Sequence, residues 1–570
     1  MRREKRPAFF SPAAKQPTVI LTNYIHFDGI GDFNHLLDIM EAFMPFATQL
    51  GIKVVPLVLC LREKRQTVVN NIKERCPGLQ PFIFTVNARY PPDLIPLFEE
   101  FVGSSNKLQK MLNRALSIFQ ISTALTKEQK DFLLKFCQPN IPIVNISEQA
   151  GLRTTAMFSV MSRVGERDRP VSDLKNINDR WMGLENKPYC YGVKIKAPLV
   201  MTKAEAILAL ENTDFMRVLL GHSDPQSTPS EETVTAFLRS NQLIPAYLQS
   251  QDSIMKFIYF CLQQPSLAGS SDLTFYINNY NNFFHPRCKM EFTQELEASH
   301  VRLSTTRVLE NEIMVPIFEA IFINHPHFKH LKDLGIASIE INSNGSSRTI
   351  VLDSEDSTSN KRTIRILTDF NLNDHDYDYL FHIASSVVGF SGDNTLEKAL
   401  SHDKLPVLQS EEKYTFERGM QALGQLAKNY LPEISPAVQE DFEKFFTRRN
   451  MRLDDPSKWP ELLSIDLTSL LEQWQRVTAE LRVKNNLYTN LDHIFYEALL
   501  HMSAAKGDIT LLDLIYEQFP KIDLNIPNKL GKTVQTIAAE SGHENYLQEL
   551  SRLVDVQNTT AMEIEKKVVL

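Results

Sequence analysis

The sequence predicts an α/β protein with two doubly wound parallel sheets, followed by an all-α C-terminal region. Residues 18 to about 150 alternate short apolar runs with amphipathic segments, and the alternation resumes between about 190 and 409. After Glu411 the pattern becomes almost wholly helical. Strands and helices in alternation are typical of parallel sheets that are covered on both faces. At 570 residues, the chain is also too long for a single core.

Five apolar runs predict the strands of the first sheet. They read TVILTNYI, KVVPLVLC, PFIFTVN, FQISTAL and NIPIVNIS. Between them, PDLIPLFEEFVGSSNKLQKMLNRAL and TKEQKDFLLKFCQ have the spacing of amphipathic helices. The polar stretch SRVGERDRPVSDLKNINDRWMGLENKPY has little periodicity, so we expect it to link this domain to the next.

Seven further runs predict the strands of the second sheet. They read RVLLGHS, LIPAYLQ, LTFYINNY, ASIEINS, TIRILTD, SSVVGFS and LPVLQS. The stretch SNGSSRTIVLDSEDSTSNKR is rich in Ser, Asn and Asp and predicts an exposed loop or hairpin. The segments DFEKFFTRRN and SLLEQWQRVTAELRVKNNL then begin the helical region.

The C-terminal tail contains a repeat with a period near 35 residues. Residues 504–508, AAKGD, resemble residues 538–543, AAESGH, and IDLNIPNKLGKT lies between them. The pattern resembles two degenerate ankyrin repeats, in which small alanines let paired helices pack and glycine ends the first helix. Two repeats bury little core alone, so we expect them to pack against the preceding helices and to contact a protein partner.

These patterns divide the chain into five parts. The expected parts are a flexible N-terminus (1–17), a first α/β domain (18–185), a second α/β domain (186–415), a helical connector (416–490) and the ankyrin-like repeats (491–570).

Composition limits the classes of function. A net charge of −8 gives no support to non-specific nucleic-acid binding, which depends on a basic surface. The six cysteines are scattered and include no C-x-x-C pair, which favours a reducing compartment and no disulfide or zinc framework. No stretch reaches the roughly 18 apolar residues of a membrane span. These observations predict a cytoplasmic protein; secretion into a host cell as an effector is suggested only by analogy, because ankyrin-like repeats are a eukaryotic type of repeat.

The segment FDGIGDFNH, residues 27–35, follows the first predicted strand, and we name it loop 1. Gly29 and Gly31 allow a sharp turn, and the segment after it has helical spacing. A strand, a glycine turn and a helix N-terminus commonly bind anions. Asp28 and Asp32, however, place negative charge where a phosphate would sit.

The segment SGDNT, residues 391–395, follows the strand SSVVGF, and we name it loop 2. Gly392 permits a tight backbone, and Asn394 or Thr395 is expected to cap the helix that follows. Such a turn can bind a diphosphate without a metal, because N–H groups at a helix N-terminus point toward the ligand. Asp393 completes the turn as an acceptor that orients other donors.

The two loops together resemble those of GT-B glycosyltransferases, which have two Rossmann-like domains facing a cleft. The closest local likeness is to the bacterial protein-arginine rhamnosyltransferases, which open with an acid, two residues and Gly-Asp. Residues 28–32, DGIGD, match that motif, and residues 377–407 resemble a Tyr-Asp helix, a strand and a Gly-Glu-Asp-Ser turn. Asp393 and Asn394 replace Glu and Asp of the turn, and 404–406 replace its Gly-Lys-Pro.

The resemblance implies a nucleotide diphosphate-sugar donor, a protein or other macromolecular acceptor, an inverting outcome and no metal. Loop 2 would bind the donor through Gly392, Asp393, Asn394 and Thr395. Loop 1, shaped by Gly29 and Gly31, would face the acceptor, with Asp32 or Asp28 as general base. A cation should assist the leaving group, and the sequence does not rank the candidates Lys398, Lys404, Lys413 and Arg365.

Simpler interpretations of these motifs stay open. Loop 1 can be a plain turn with Asp32 capping a helix, and loop 2 a capped connection between strand and helix. His26 and His35 flank loop 1, and a hydrogen-bonded, partly buried histidine explains them as well as catalysis does. At the level of function, the alternatives are a non-catalytic interaction protein on a degenerate transferase scaffold, possibly a bacterial effector, and another nucleotide-dependent enzyme such as a sugar epimerase.

Overall fold

The structure is a computed structural model. The residues it describes are 16–25, 31–87, 94–122, 127–146, 184, 191–221, 229–248, 251–268, 271–277, 315, 318–319, 322–323, 328–343, 346–353, 362–370, 372–408, 415–446, 464–465, 467–528 and 531–568. The chain forms two compact units. Unit 1 comprises Met1–Val193 and Asn485–Leu570, and unit 2 comprises Lys194–Lys484. Within the described ranges, no helix is both long enough and apolar enough to cross a membrane.

Unit 1 is built on a five-stranded parallel sheet. Its strands are β1 (Thr18–Tyr24), β2 (Lys53–Leu61), β3 (Phe82–Val86), β4 (Ala115–Ile121) and β5 (Ile143–Ile146). They lie in the order β3-β2-β1-β4-β5, and every pair is parallel. The chain reverses its direction of travel across the sheet between β1 and β4, so the predicted doubly wound α/β arrangement is confirmed.

Helices cover both faces of this sheet. They are α1 (Gly31–Gln49), α2 (Arg65–Arg75), which follows a 3-10 turn at Arg62–Lys64, α3 (Leu94–Ser104), α4 (Asn106–Leu112) and α5 (Lys127–Leu134). One apolar core lies under α1 and another under α3, α4 and α5. All residues of β1 and β4 are therefore buried, which explains why these strands read as apolar runs. Strand β4 begins at Ala115, ahead of the predicted run FQISTAL.

Unit 2 contains a seven-stranded sheet. Its strands are β6 (Asn241–Tyr247), β7 (Asp272–Ile277), β8 (Ile336–Ser343), β9 (Ser346–Val351), β10 (Arg362–Thr368), β11 (Val387–Phe390) and β12 (Leu405–Leu408), in the order β12-β11-β6-β7-β10-β8-β9. All neighbours are parallel except β8 and β9. Strand β9 lies in the Ser- and Asn-rich stretch and forms a hairpin with β8, the predicted strand ASIEINS, while residues 354–361 of that stretch lie outside the described residues.

In the described residues of unit 2, the helices are α6 (Lys203–Leu208), α7 (Thr213–Leu219), α8 (Glu231–Ser240), α9 (Gln251–Gln263), α10 (Pro265–Ala268), α11 (Asp374–Ile383), α12 (Asp393–Ser401), α13 (Thr415–Tyr430), α14 (Pro436–Phe446) and α15 (Leu467–Lys484), with a 3-10 turn at Lys332–Leu334. The predicted strand RVLLGHS is wrong, because its first residues end α7. The Asn212 side chain accepts a hydrogen bond from the Phe215 amide and starts that helix. A short apolar run does not by itself distinguish a buried strand from a helix.

The C-terminal helices return to unit 1. They are α16 (Leu491–Lys506), after a 3-10 turn at Tyr488–Asn490, α17 (Ile509–Gln518), α18 (Val534–Glu540) and α19 (Glu544–Val568). Helix α16 packs into the core under α1, where the Phe495 ring lies 4.9 Å from Phe43 and stacks on Phe119 at 6.2 Å. The tail thereby extends the core of unit 1.

The two halves of the tail repeat end their helices in the same way. Gly507 (φ 64°) follows α16 and Gly542 (φ 73°) follows α18, both in the left-handed conformation that favours glycine. The next amide bonds back in each case, Asp508 to the Ser503 carbonyl and His543 to the Ala538 carbonyl. The repeat therefore corresponds to two helix pairs, and its ankyrin identity stays a prediction.

Candidate functional site

Loop 1 begins at the point where the strand order of unit 1 reverses. Strand β1 ends at Tyr24 beside β4, and α1 begins at Gly31. In doubly wound sheets this point, at the carboxyl ends of the strands, is where ligands bind. Asp28 and Gly29 lie outside the described residues. Gly31 and Asp32 form the first two positions of α1.

Polar side chains join α1 to the end of β4 at this point. The Nδ1 atom of His35 lies 3.1 Å from the hydroxyl of Ser122, and His35 is only 1% exposed. Ser122 follows β4 with a positive φ of 61°. The Asn23 amide donates to the Ile121 carbonyl at 3.0 Å. His35 is thus hydrogen-bonded, as its simpler interpretation expects, but almost fully rather than partly buried, while His26 lies outside the described residues.

Loop 2 occupies the equivalent place in unit 2. Strand β6 pairs with β7 on one side and with β11 on the other, so the strand order reverses between β6 and β11. Phe390 at the end of β11 pairs with Tyr247 at the end of β6. The next residue, Ser391, donates its hydroxyl to the Tyr247 carbonyl at 3.0 Å. This hydrogen bond fixes the start of loop 2 at the reversal point.

The helix after loop 2 begins without a capping side chain. Its N-cap residue is Gly392, so the expected cap at Asn394 or Thr395 is wrong, and both lie inside the first turn of α12. The Leu396 amide bonds to the Gly392 carbonyl, whereas the amides of residues 393–395 have no acceptor within the helix. Thr395 is 9% exposed and Asn394 is half-buried. The turn therefore offers N–H groups and a hydroxyl to an anion.

Space at the N-cap position is limited by an aromatic ring. A Cβ atom added at Gly392 would lie 3.3 Å from Cε1 of Tyr247, so the ring would have to move by a few tenths of an ångström. The absence of a side chain at this position brings the backbone of loop 2 close to β6. Glycine thus serves close approach here, because the φ of Gly392, −131°, is one that other residues adopt.

Asp369 lies at the same edge of the sheet and was missed by the sequence analysis. It follows β10 with a φ of 61°, an uncommon conformation for a residue other than glycine. Its Oδ2 accepts from the Ser343 hydroxyl at 2.9 Å, whereas its buried Oδ1 has no partner. Burial raises the pKa of Asp369 despite the Ser343 hydrogen bond. A half-buried carboxyl group with a left-handed backbone and a free oxygen is a candidate for a functional site.

The described cation candidates have structural contacts. Lys398 pairs with Asp378 at 2.5 Å and with Asp374 at 3.1 Å. Arg365 donates to the Leu219 and Val218 carbonyls at the end of α7, while its Nε lies 3.1 Å from Glu340. Lys404 precedes β12 at the amino edge of the sheet, away from loop 2, and Lys413 lies outside the described residues.

A buried ion pair connects α12 to the first residues of unit 2. The Lys194 ammonium lies 2.9 Å from the Glu397 carboxylate, and Lys196 approaches the other carboxylate oxygen at 3.5 Å. Burial alone would raise the pKa of Glu397, but the two lysines outweigh it and hold the pKa below its ordinary value. Glu397 is therefore charged, and this pairing anchors the helix that follows loop 2.

The residues with described side chains contain no group of three His, Cys, Asp or Glu residues that could hold a metal ion. Of the sequence-predicted site, Gly392, Asn394 and Thr395 lie together at one switch point. Gly31 and the backbone of Asp32 lie at the other.

No protein-family model matches the chain, and no curated protein matches it. Solved structures with partial similarity include the N-terminal domain of trehalose-6-phosphate phosphatase from Candida albicans (TM-score 0.37, 8% identity, 86% of this chain and 99% of that one). A UDP-forming trehalose-phosphate synthase from Burkholderia xenovorans has a TM-score of 0.38 and 10% identity, over 85% of this chain and 99% of that one. The Escherichia coli trehalose-6-phosphate protein bound with UDP-2-fluoro glucose has a TM-score of 0.36 and 10% identity, over 85% of this chain and 99% of that one. Scores this low carry no conclusion about fold or function.

Proposed function

We propose that the chain is a GT-B glycosyltransferase that moves a sugar from a nucleotide diphosphate-sugar to a protein or other macromolecular acceptor. The observation that carries this proposal is the position of loop 2. It follows β11 at the switch point of unit 2 and leads into α12. The N-cap residue of α12 is Gly392, so no side chain at that position bonds to the first amides of the helix. Loop 1 starts from the equivalent point of unit 1.

The donor diphosphate binds at loop 2 in this proposal. The amides of residues 393–395 donate to phosphate oxygens, and the Thr395 hydroxyl adds a further donor. The missing side chain at Gly392 lets the diphosphate approach the backbone, which Ser391 holds against β6. The free Oδ1 of Asp369 can accept a hydrogen bond from a hydroxyl group of the donor. No metal is required for these contacts.

Loop 1 supplies the general base. Asp32 is the second residue of α1, where the helix dipole favours the carboxylate form that can accept a proton. Asp28, in the turn shaped by Gly29 and Gly31, is the other candidate. A negative loop facing the acceptor explains why acids occupy a motif that otherwise suits phosphate. Attack from the face opposite the leaving diphosphate inverts the anomeric centre.

A non-catalytic interaction protein on the same scaffold is the second candidate. The observation that favours it is the engagement of Lys398, Arg365 and Lys404 in structural contacts away from loop 2. A transferase needs positive charge, or several N–H donors, to stabilise the leaving diphosphate. In both cases the ankyrin-like tail would bind a protein partner, as expected of an effector, through the outer surfaces of α17 and α19, because α16 is buried in unit 1.

Binding of nucleotide sugars tests the proposal. We expect one member of a donor panel to raise the melting temperature of the full chain. Thr395→Val should lower the affinity for that donor about tenfold, because it removes a hydrogen bond to a charged group. Thr349→Val, on the exposed face of β9, is the matched control and should bind normally. Isothermal titration calorimetry measures both affinities.

Donor hydrolysis and transfer then separate the two candidates. Asp32→Asn should lower the rate at least about a hundredfold while leaving donor affinity unchanged, as expected for loss of a general base. If Asp28→Asn alone has this effect, Asp28 is the base. Donor binding without any turnover on candidate acceptors would favour the interaction protein, and the absence of binding to any nucleotide sugar would contradict the proposed function.

A further inference from the structure

A second group of charged side chains lies at the opposite edge of the sheet in unit 2. Ala384 ends α11 just before β11, and Lys404 immediately precedes β12, so both lie at the amino ends of these strands. Loop 2 lies at the carboxyl end of β11. The amino edge is therefore a separate part of unit 2.

Two lysines converge on one carbonyl oxygen there. The Lys404 ammonium donates to the Ala384 carbonyl at 2.8 Å, and the Lys203 ammonium donates to the same oxygen at 3.0 Å. Neither lysine forms an ion pair with a carboxylate among the residues the structure describes, under a 4.0 Å limit. Lys404 is 9% exposed, while Lys203 is at the surface. Like charges this close repel each other unless an anion lies between them.

Two histidines extend this cationic group. The His382 and His402 rings lie 5.8 Å apart, edge to face. His382 Nε2 donates to the Met201 carbonyl at 2.8 Å, and His402 Nε2 lies 4.0 Å from the Asp378 carboxylate. The buried Nδ1 of His402 has no hydrogen-bond partner, and its side chain is only 5% exposed. Protonation would turn this nitrogen into an additional donor.

The neighbouring carboxylates are already engaged by other cations. Asp378 and Asp374 pair with Lys398, and Asp403 pairs with Arg482 at 2.6 Å. The C-terminal end of α11 contributes only about half a negative charge, which does not balance two ammonium groups. When its members are protonated, the group formed by Lys203, Lys404, His382 and His402 therefore has an excess of positive charge.

We propose that this group binds a small oxyanion of the phosphate class, either free phosphate or the phosphoryl group of a larger molecule. Lys203 and Lys404 would share its oxygens, and the orphaned His402 Nδ1 would donate when protonated. A tetrahedral oxyanion has enough acceptors for several donors that approach from α6, α12 and the start of β12. The exposed side of Lys203 provides the route from solvent.

Proton uptake accompanies binding in this proposal. Burial and the neighbouring Lys203 lower the pKa of Lys404 to about 7 in the protein alone. Burial also lowers the pKa of His382 and His402. The carboxylates that face the group, Asp378 and Asp403, oppose this only in part. An anion raises each of these pKa values, so protons are taken up near pH 7.5.

Calorimetric titration of the full chain with inorganic phosphate tests the site, at pH 7.5 in two buffers with different ionisation enthalpies. We expect saturable binding with proton uptake. Lys203→Gln should weaken binding about tenfold, equivalent to about 1.4 kcal/mol, and Lys203→Arg should largely restore it. Lys332→Gln, at an exposed lysine of the same unit, is the matched control. Because Lys203 is exposed, its variants should fold normally.

A phosphomonoester, glycerol phosphate, distinguishes the sources of the anion. Equal binding of phosphate and glycerol phosphate identifies free phosphate as sufficient, and much tighter binding of the ester indicates a larger phosphorylated ligand; both support the site. The absence of saturable binding by either probe, or unchanged binding in Lys203→Gln, overturns it. The Lys203 variants should leave nucleotide-sugar binding at loop 2 intact, so this result is independent of the proposed function.

Discussion

Gly192→Ala will strongly destabilise unit 1, by on the order of 3–5 kcal/mol in the free energy of unfolding. Gly192 has a φ of 93°, which is unfavourable for any residue with a side chain. A Cβ atom at this position would lie 2.0 Å from the Asn485 carbonyl oxygen and 2.6 Å from the Asn486 amide nitrogen. The added Cβ would meet backbone atoms of Asn485 and Asn486, so no rotation of a side chain relieves the contacts.

The backbone around Gly192 closes unit 1 at the points where the chain leaves and returns. The Val193 amide donates to the Asn485 carbonyl at 2.9 Å, and the Leu487 amide donates to the Val193 carbonyl at 2.8 Å. A shift that accommodates a methyl group breaks these two hydrogen bonds, each worth about 1 kcal/mol. The added strain of the left-handed conformation costs about 1–2 kcal/mol more.

Gly103→Ala provides the matched control for this change. Gly103 lies in α3 with no atom within 4 Å of an added Cβ and no positive φ. Alanine there should be neutral or stabilise the helix by about 0.5–1 kcal/mol. Urea denaturation, followed by hydrogen exchange of the α16 amides, reports on unit 1 separately from unit 2. Equal stability of the two variants would contradict the role assigned to Gly192.

The sheets could be predicted from the sequence because buried parallel strands carry a strong local signal. Strands β1 and β11 are buried throughout and are mostly apolar, and each is followed by a glycine turn and a helical pattern. The same reasoning failed at α7, where the apolar run RVLL is too short to indicate its own period. The start of α12 was placed too late because both Asn394 and Thr395 resemble caps, although the backbone begins the helix after Gly392.

The features that depend on distant contacts could not be predicted. Ser391 meets Tyr247 across 144 positions, and Lys203 meets the Ala384 carbonyl across 181 positions. No local pattern distinguishes Lys404 in such a cluster from a lysine at the surface. The sequence also does not reveal the left-handed backbone of Asp369, which reads there as an ordinary acid after a strand. Such residues become visible only when the fold gives their burial and partners.

Glu497→Gln will stabilise unit 1 at alkaline pH, with an effect that grows as the pH rises. Glu497 lies on α16, is 7% exposed, and accepts a hydrogen bond from the Tyr191 hydroxyl at 2.5 Å. Burial, together with Asp523 and Asp492, outweighs that hydrogen bond and raises the pKa of Glu497 to about 8. The folded protein therefore holds this carboxyl group in its neutral form near pH 7.

The direction of the pH dependence follows from this raised pKa. The folded state binds the proton more tightly than the unfolded state, so the favourable contribution is complete below the ordinary value of 4.5 and is lost as the pH rises through about 8. The difference between these values corresponds to on the order of 5 kcal/mol at high pH. Glutamine keeps the shape and accepts the Tyr191 hydrogen bond without any charge.

We expect Glu497→Gln to match the wild type at pH 5 and to exceed its unfolding free energy by about 2–4 kcal/mol at pH 8.5, allowing for the buried amide group that glutamine introduces. Hydrogen exchange of the α16 amides, corrected for intrinsic rates at each pH, measures this difference. Glu100→Gln, on the exposed side of α3, is the control and should show no such trend. A difference that is the same at both pH values would mean that Glu497 is charged in the folded protein, with Tyr191 compensating for its burial.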